Sequence, residues 1–248
     1  MKSYDELKGE MESIRKQMIE IKKKERIDSY NKMLAFPDTK QRFTEIYNRN
    51  LWSSKESSSG EGSEVAYTES LRAWMICNLP RLGIKKLVDA PCGDFNWMRL
   101  VLPNLDINYI GLDVVDSIIV TNNHKYASDK IFFKAANICA DEIPSCDLVM
   151  VRDCLFHLSY DDIAKFFRNL ENTEYKYLLT TTHIVEQGFE NSDITTGAFR
   201  MIDLFNKPFS FDMKCIKDRV ADYPPGFRVK REMILIEKKF VPKNLSVF

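Results

Sequence analysis

Three side chains suited to moving a proton stand out in the 248-residue chain: Asp153 and His157, four apart, and His183. Each set follows an apolar run. Cys146 to Val151 leads into Asp153, and Tyr175 to Thr182 leads into His183. Asp153 and His157 share a face if their short stretch is helical. A carboxylate would then hold the imidazole in one tautomer while the other ring nitrogen takes a proton from a hydroxyl. His157 also lies between Phe156 and Leu158, where a histidine equally serves as packing. A second set has different chemistry. Asp89 ends an apolar run, a Pro91-Cys92-Gly93 turn follows, and Asp113 ends the next run, Ile107 to Leu112, twenty residues beyond Gly93. Read as strand, turn, helix and strand, these spacings make a nucleoside-cofactor site. Gly93 lets backbone approach the ligand, amides of the following helix start hold an anion, and Asp113 accepts both hydroxyls of a ribose.

The glycines narrow the cofactor. A dinucleotide site calls for G-x-G-x-x-G, because pyrophosphate lies against bare backbone. Only Gly93 is present; Pro91 and Phe95 fill the neighbouring places, and Phe95 would crowd a pyrophosphate. S-adenosylmethionine has none. The stretch Asp89-Ala-Pro-Cys-Gly-Asp-Phe-Asn-Trp97 resembles motif I of class I S-adenosylmethionine-dependent methyltransferases. Asp89 and Gly93 match that family, whereas Pro91 and Phe95 depart from it and match one subgroup. Trp52, Glu56-Ser57, Ser59-Gly60, Gly62-Ser63, Thr68 and Leu71-Arg72 resemble the subgroup's lead-in. Asn191-x-Asp193-Ile194-x-Thr196-Gly197-x-x-Arg200 resembles its later loop. The subgroup is associated with surface-glycan assembly in bacteria and large viruses.

The resemblance spans roughly residues 46 to 239 and implies a division of labour. Residues 57 to 63 would form a cofactor lid, with Ser59, Gly60 and Ser63 on the ligand. Asp89, Ala90, Gly93, Asp94 and Phe95 would form the turn, and Asp113 with Val114 the ribose end. Asn137, where the wider family has an acid, would meet adenine through its side-chain amide, with Ile138 beside it. Arg152 would complete the cofactor set. The acceptor would be a sugar hydroxyl, deprotonated by Asp153, His157 or His183. Asp153, His183 and Asp193 would supply ligands to a divalent metal if the loop folded over, but their spacing matches no metal signature. Arg200 would pair with an acidic or phosphorylated substrate or form a structural ion pair. His124 reads as solvated.

The elements that must position these groups alternate. Strands are expected over residues 85–89, Ile107–Leu112, Lys130–Ala136, Cys146–Val151 and Tyr175–Thr182, with helices over Glu64–Leu79, Asn96–Leu102, Val115–Tyr126 and Tyr160–Leu170. Ser159 with Asp162 makes a cap for the last of these. Lys214–Val220 and Arg231–Lys239 close the chain with too short a connection for a crossover, so they pair antiparallel. The expected fold is α/β: a Rossmann-like seven-stranded methyltransferase sheet, mostly parallel with a closing antiparallel hairpin, flanked by helices and carrying an N-terminal helical extension. Residues 1–36 form that extension and 37–248 the methyltransferase domain. In Ser3–Leu34, Tyr4, Leu7, Met11, Ile14, Met18 and Ile21 recur at heptad spacing with charged flanks. That seam fits self-association into a homo-oligomer, or packing on its own domain. Gln41–Trp52 reads as a short helix.

Composition sets the outer limits. Formal net charge is zero, so nothing suggests a broad electrostatic grip on nucleic acid. No apolar run is long enough for a membrane span, and Met1 precedes a charged segment rather than a secretory signal. Six cysteines are scattered without a C-x-x-C, which fits a reducing compartment, the cytoplasm or a host cytoplasm for a viral gene. Three other functions stay open. They are methylation of a small metabolite, lipid headgroup or nucleic acid; a non-catalytic cofactor-binding scaffold; and an NAD oxidoreductase, which the missing glycines disfavour.

Overall fold

The computed structural model describes residues 4–243. Its centre is a seven-stranded sheet of order β3-β2-β1-β4-β5-β7-β6. The strands are β1 (Lys86–Asp89), β2 (Asn108–Asp113), β3 (Ile131–Ala135), β4 (Leu148–Val151), β5 (Tyr177–His183), β6 (Ile216–Ala221) and β7 (Arg231–Glu237). The first five are parallel, and β7 runs antiparallel to both β5 and β6. Chain order reverses beside β1, so the chain leaves β1 and β4 toward opposite faces of the sheet and a crevice forms at their C-terminal ends. Asp89, Asp113 and Asp153 all end up at that edge.

Alternating side chains of the central strands feed opposite faces of the sheet. Val88, Val149 and Leu178 pack with Phe166, Phe167 and Leu170 of α5 (Tyr160–Glu171). Leu87, Leu148 and Leu179 pack with Leu71, Met75 and Leu79 of α3 (Glu69–Arg81). Each fully buried side chain of this size contributes about 1.5–3 kcal/mol. Ser159 caps α5 as its sequence implies, accepting the Asp162 amide at 3.2 Å. Helix α4 (Asp116–Tyr126) links β2 to β3, and His124 lies exposed in its last turn.

Two expected helices differ most. Residues 96–102 do not form one; the chain makes separate 3-10 turns at Met98–Leu100 and Leu102–Asn104. Phe95 enters the segment with φ +62° and Pro103 lacks an N–H, so the α pattern has neither start nor continuation. Helix α3 begins at Glu69 rather than Glu64. The residues before it are bound to the preceding loop: Ser54 Oγ donates to Glu64 at 2.7 Å, and Glu56 accepts the Val65 amide at 2.8 Å.

Helix α1 (Tyr4–Leu34) turns at Phe36–Pro37 into α2 (Thr39–Asn48), which starts and stops a little earlier than expected. Asp38 caps α2 by accepting the Gln41 amide at 3.0 Å. The end of α1 is packed: Met33 is buried with Ile46 and Leu51, and Tyr30 and Leu34 lie against them. Tyr4, Met11, Ile14, Met18 and Ile21 are exposed, so these five side chains are not buried against any of the described residues.

Candidate active site

One cavity of about 280 Å³ opens at the crevice between β1 and β4. Its floor is strand ends: Asp89, Asp113 and Asn137 on one side, Arg152 and Asp153 on the other. Its roof is residues 59–63 together with Thr39, Phe43 and Tyr47 of α2. Its far wall is aromatic, from Trp52, Phe156, His157 and Phe199.

At the β1–β2 side, two carboxylates are buried close together. Asp113 accepts the Gly93 amide at 3.1 Å and the Val115 amide at 2.9 Å, one on each oxygen. Burial nevertheless pushes its pKa up to about 6, with those amides opposing the shift. Asp89 accepts the Tyr109 hydroxyl at 2.7 Å, and burial pushes it up to about 7. The Val114 amide also bears on the Asp113 carboxylate, and its remaining acceptor capacity faces the cavity, where a hydroxyl donor could meet it. Val114, Ala136 and Ile138 line the same end with apolar surface. Asn137 Oδ1 accepts the Cys139 amide at 3.0 Å, an Asx turn that leaves its amide nitrogen without a partner among the described residues.

The seven residues 57–63 are an ordered roof, not a loose serine-rich loop. Ser57 Oγ donates to Asp94 at 2.9 Å and the Ser58 amide donates to it at 2.8 Å. The Asp94 amide in turn donates to Ser59 Oγ at 2.9 Å. Gly93 has φ +54°, and a Cβ there would come within 3.0 Å of Ser59 Cβ. Gly93 is thus what lets roof and turn close on each other. This also corrects the expected anion cradle. No helix follows the turn, and the Gly93 and Asp94 amides are already taken by Asp113 and Ser59.

At the β4–β5–β7 side, two arginines and two aspartates interlock. Arg152 donates to Asp222 through Nε at 2.9 Å and Nη2 at 3.0 Å, and Nη2 also reaches the Gly62 carbonyl at 2.6 Å. Arg231 donates to Asp153 at 2.6 Å and to Asp222 at 3.3 Å. Burial pushes the Asp153 carboxyl up, but the Arg152 and Arg231 cations outweigh it and hold the group below its usual range. Asp153 has φ +51°, and its Oδ1 is buried without a hydrogen-bond partner among the described residues. Gly62 fits over this cluster because a Cβ there would lie 2.5 Å from Asp153 Oδ2.

His157 is held by another group than the one expected. Asp153 and His157 do not share a helical face, since Asp153 is left-handed and only Leu155–His157 make a 3-10 turn. His157 Nδ1 lies 2.8 Å from the Ala198 carbonyl. A carbonyl only accepts, so Nδ1 carries the proton and Nε2 keeps its lone pair. Burial lowers the imidazole pKa to about 4, so it is neutral at physiological pH. The ring packs against Trp52 and Phe156, at 5.4 and 4.5 Å between centroids.

The structure brings most of the expected residues to one cavity and leaves others out. Ser59, Gly60, Ser63, Asp89, Gly93, Asp113, Val114, Asn137, Ile138 and Arg152 line it, as do Asp153 and His157. Ala90 is buried beneath it, Asp94 is occupied with the roof serines, and Phe95 turns away to pack on Tyr109, Tyr126 and Phe133. The Phe95 ring therefore crowds nothing in the cavity, and the steric case against a pyrophosphate falls. His183 sits behind Phe156 and does not line the cavity; its Nδ1 faces the Ile202 backbone at 3.1 Å. Asp193 caps α5 by accepting the Tyr160 amide at 2.7 Å, so Asp153, His183 and Asp193 do not converge, and no metal-ligand group occurs among the described residues. Arg200 does not line the cavity and makes no ion pair among the described residues; it donates to the Leu158 carbonyl at 2.6 Å and stacks on Tyr160. Sequence reasoning missed Arg231, Asp222 and the α2 face. The β5–β7 register that puts Arg231 opposite His183 carries no local signal. Trp52 was visible only as part of the lead-in motif.

No family model matches the sequence, and no curated protein matches it. Solved structures do. A magnesium protoporphyrin IX methyltransferase from Synechocystis PCC 6803 with bound SAM aligns at TM-score 0.56 and 12% identity, over 82% of this chain and 98% of that one. A SAM-dependent methyltransferase from Leishmania major aligns at 0.56 and 16%, over 81% and 87%. The mitomycin 7-O-methyltransferase MmcR aligns at 0.55 and 14%, over 84% of this chain and 60% of that one. At these identities the likeness is one of fold. The chain has the Rossmann-like, seven-stranded fold of class I methyltransferases, with the closing antiparallel hairpin that its sequence implies.

Proposed function

We propose that the chain is an S-adenosylmethionine-dependent O-methyltransferase whose acceptor is a sugar hydroxyl of a glycan or glycan precursor. One observation carries the enzyme class. A single cavity joins a ribose-type end, Asp113 with Gly93, to a neutral histidine whose Nε2 lone pair is fixed by the Ala198 carbonyl. Residues 37–248 would be the catalytic body.

The residues present fit the cofactor. Asp113 would hold the ribose hydroxyls, Asn137 and Ile138 the adenine, and Ser59, Gly60, Ser63, Asp89 and Arg152 the amino-acid end. When bound, S-adenosylmethionine supplies a methyl group already activated by its sulfonium. The roof excludes water, and α2 closes over the acceptor side. His157 Nε2 would take the hydroxyl proton as the acceptor oxygen takes the methyl group and the carbon–sulfur bond breaks, with S-adenosylhomocysteine as the neutral leaving group. Because the methyl group is already activated, alignment by the cavity walls supplies most of the remaining catalysis. Asp153 is a poorer base, since its two arginine neighbours stabilise the carboxylate.

Charge and shape bear on the acceptor. Arg152 and Arg231 are matched by Asp153 and Asp222, so the described residues that line the cavity leave no surplus cation for a phosphate at the reacting position. The resemblance to the glycan subgroup and the Trp52 ring lining the cavity support a sugar. The aromatic wall of Phe43, Trp52, Phe156 and Phe199 also suits a flat phenolic small molecule, the second reading. Among the described residues no helix is long and apolar enough to cross a membrane, which fits a cytoplasmic enzyme. The test is a mass assay with S-adenosylmethionine against short glycans, nucleotide sugars and phenols. A gain of one methyl on a glycan or nucleotide sugar supports the first reading, and methylation of phenols alone the second. No transfer to any acceptor, with cofactor bound, would favour a non-catalytic binding protein.

A further inference from the structure

The exposed half of α1 is built for copies of itself. Tyr4, Met11, Ile14, Met18 and Ile21 are each more than half exposed, and with Leu7 they follow the three-then-four spacing of an a/d seam. Tyr4, Met11 and Met18 take the a places; Leu7, Ile14 and Ile21 take the d places. The seam stops at Glu25 and Asp28, where the next a and d residues would stand. Shortly beyond that point the helix begins to pack on its own body through Tyr30, Met33 and Leu34. Among the described residues, the second half of α1 therefore has a partner within the chain and the exposed seam residues of the first half do not.

We propose that residues 4–21 form a parallel coiled coil between copies of this chain. Three features choose that occupant. The apolar stripe is a narrow heptad seam, not the broad face with a basic rim that a membrane surface selects. Acidic and basic residues are nearly balanced along the helix, so an anionic bilayer gains little from it. In a parallel arrangement the g place of one strand faces the following e place of the next. That puts Glu10 opposite Arg15 of another copy, whereas an antiparallel pair would set the e places Lys8, Arg15 and Lys22 against one another. β-branched Ile14 and Ile21 at d favour three or four strands over two.

The bundle would be joined to the cavity by a continuous helix. Beyond the seam, Tyr30 donates to the Gly197 carbonyl at 2.5 Å, next to the Ala198 carbonyl that orients His157. Association would place several catalytic bodies on one stalk, each with its own complete cavity, and would not require a partner's residue in any of them.

The experiment is light scattering on the full chain at about 100 µM and at about 1 µM, because a short coil dissociates on dilution. It is repeated for Met11→Glu/Ile14→Glu/Met18→Glu, three exposed positions whose change leaves the packed core alone. Wild type should show a multiple of the chain mass at the higher concentration and the variant a single chain at both, with the same melting temperature. A monomeric wild type at about 100 µM would overturn the proposal, as would a variant that keeps the wild-type mass. Orientation is read from Met18→Cys, with oxidised wild type as the control for exposed Cys77. A parallel bundle places position 18 beside itself and gives a cross-linked species. Antiparallel alignment of the seam separates the two sulfurs by about 16 Å at 1.5 Å per residue, and absence of the cross-link would rule out the parallel form.

Discussion

His157 turns its Nδ1 edge to the backbone carbonyl of Ala198, at 2.8 Å. The tautomer of the candidate base is thus set by the loop between β5 and β6. Gly197 reinforces the arrangement by donating its amide to the His157 carbonyl at 2.7 Å. Loop and histidine hold each other through main-chain atoms.

Replacing His157 by Ala should lower turnover about a hundredfold to ten-thousandfold, the usual contribution of a general base. Cofactor affinity should stay near wild type. Because the ring also packs against Trp52, melting temperature must be read beside rate. Lost activity together with lost stability would point to a packing histidine instead.

The pH profile should carry the same signature. With the imidazole pKa lowered to about 4, His157 is already deprotonated at pH 6. The acid limb of turnover belongs near pH 4, with no rise across the ordinary histidine range. A limb centred near 6.5 would mean that the base is a different or far more solvated group.

Asp89 should make the unliganded protein less stable as pH rises. Its folded pKa of about 7 lies above the ordinary 3.8, so the folded state binds a proton that the unfolded chain has released. That contribution is complete below about pH 4 and is lost as pH passes through 7. Asp89→Asn keeps an acceptor for the Tyr109 hydroxyl and removes the titration. The melting temperature of the variant relative to wild type should climb between pH 5 and pH 8. A constant difference would show that Asp89 is ionised throughout.

Arg231→Met should destabilise the fold by about 3–5 kcal/mol, because Asp153 loses its closest cation inside the protein. Thermal unfolding should fall by about 10 °C for a chain of this size. A change within a degree or two would mean that Arg152 alone satisfies both carboxylates.

Much of this was legible in the sequence because it follows from local pattern. The apolar runs ending at Asp89, Asp113 and Asp153 gave the strands, and parallel alternation brought their ends to one edge. The short connection before Arg231 implied the antiparallel closure. What was not legible depends on pairing across distance or on a single backbone angle. Phe95 matched a motif, but its positive φ sends the ring into the core and away from the cavity. Asp153 looked like a partner for His157 until Arg231, 78 residues later, took its carboxylate. The face of α2 that roofs the cavity reads as an ordinary short helix, since nothing in Phe43 or Tyr47 says which surface it meets.

The most direct measurement is calorimetric titration of S-adenosylmethionine into wild type and Asp113→Ala. Wild type should bind one equivalent. Loss of a charged acceptor for two hydroxyls costs about 1.5–3 kcal/mol, so the variant should bind about tenfold weaker or worse while keeping its fold. Absence of binding by wild type, or equal affinity in the two proteins, would contradict the assignment of this cavity to the cofactor.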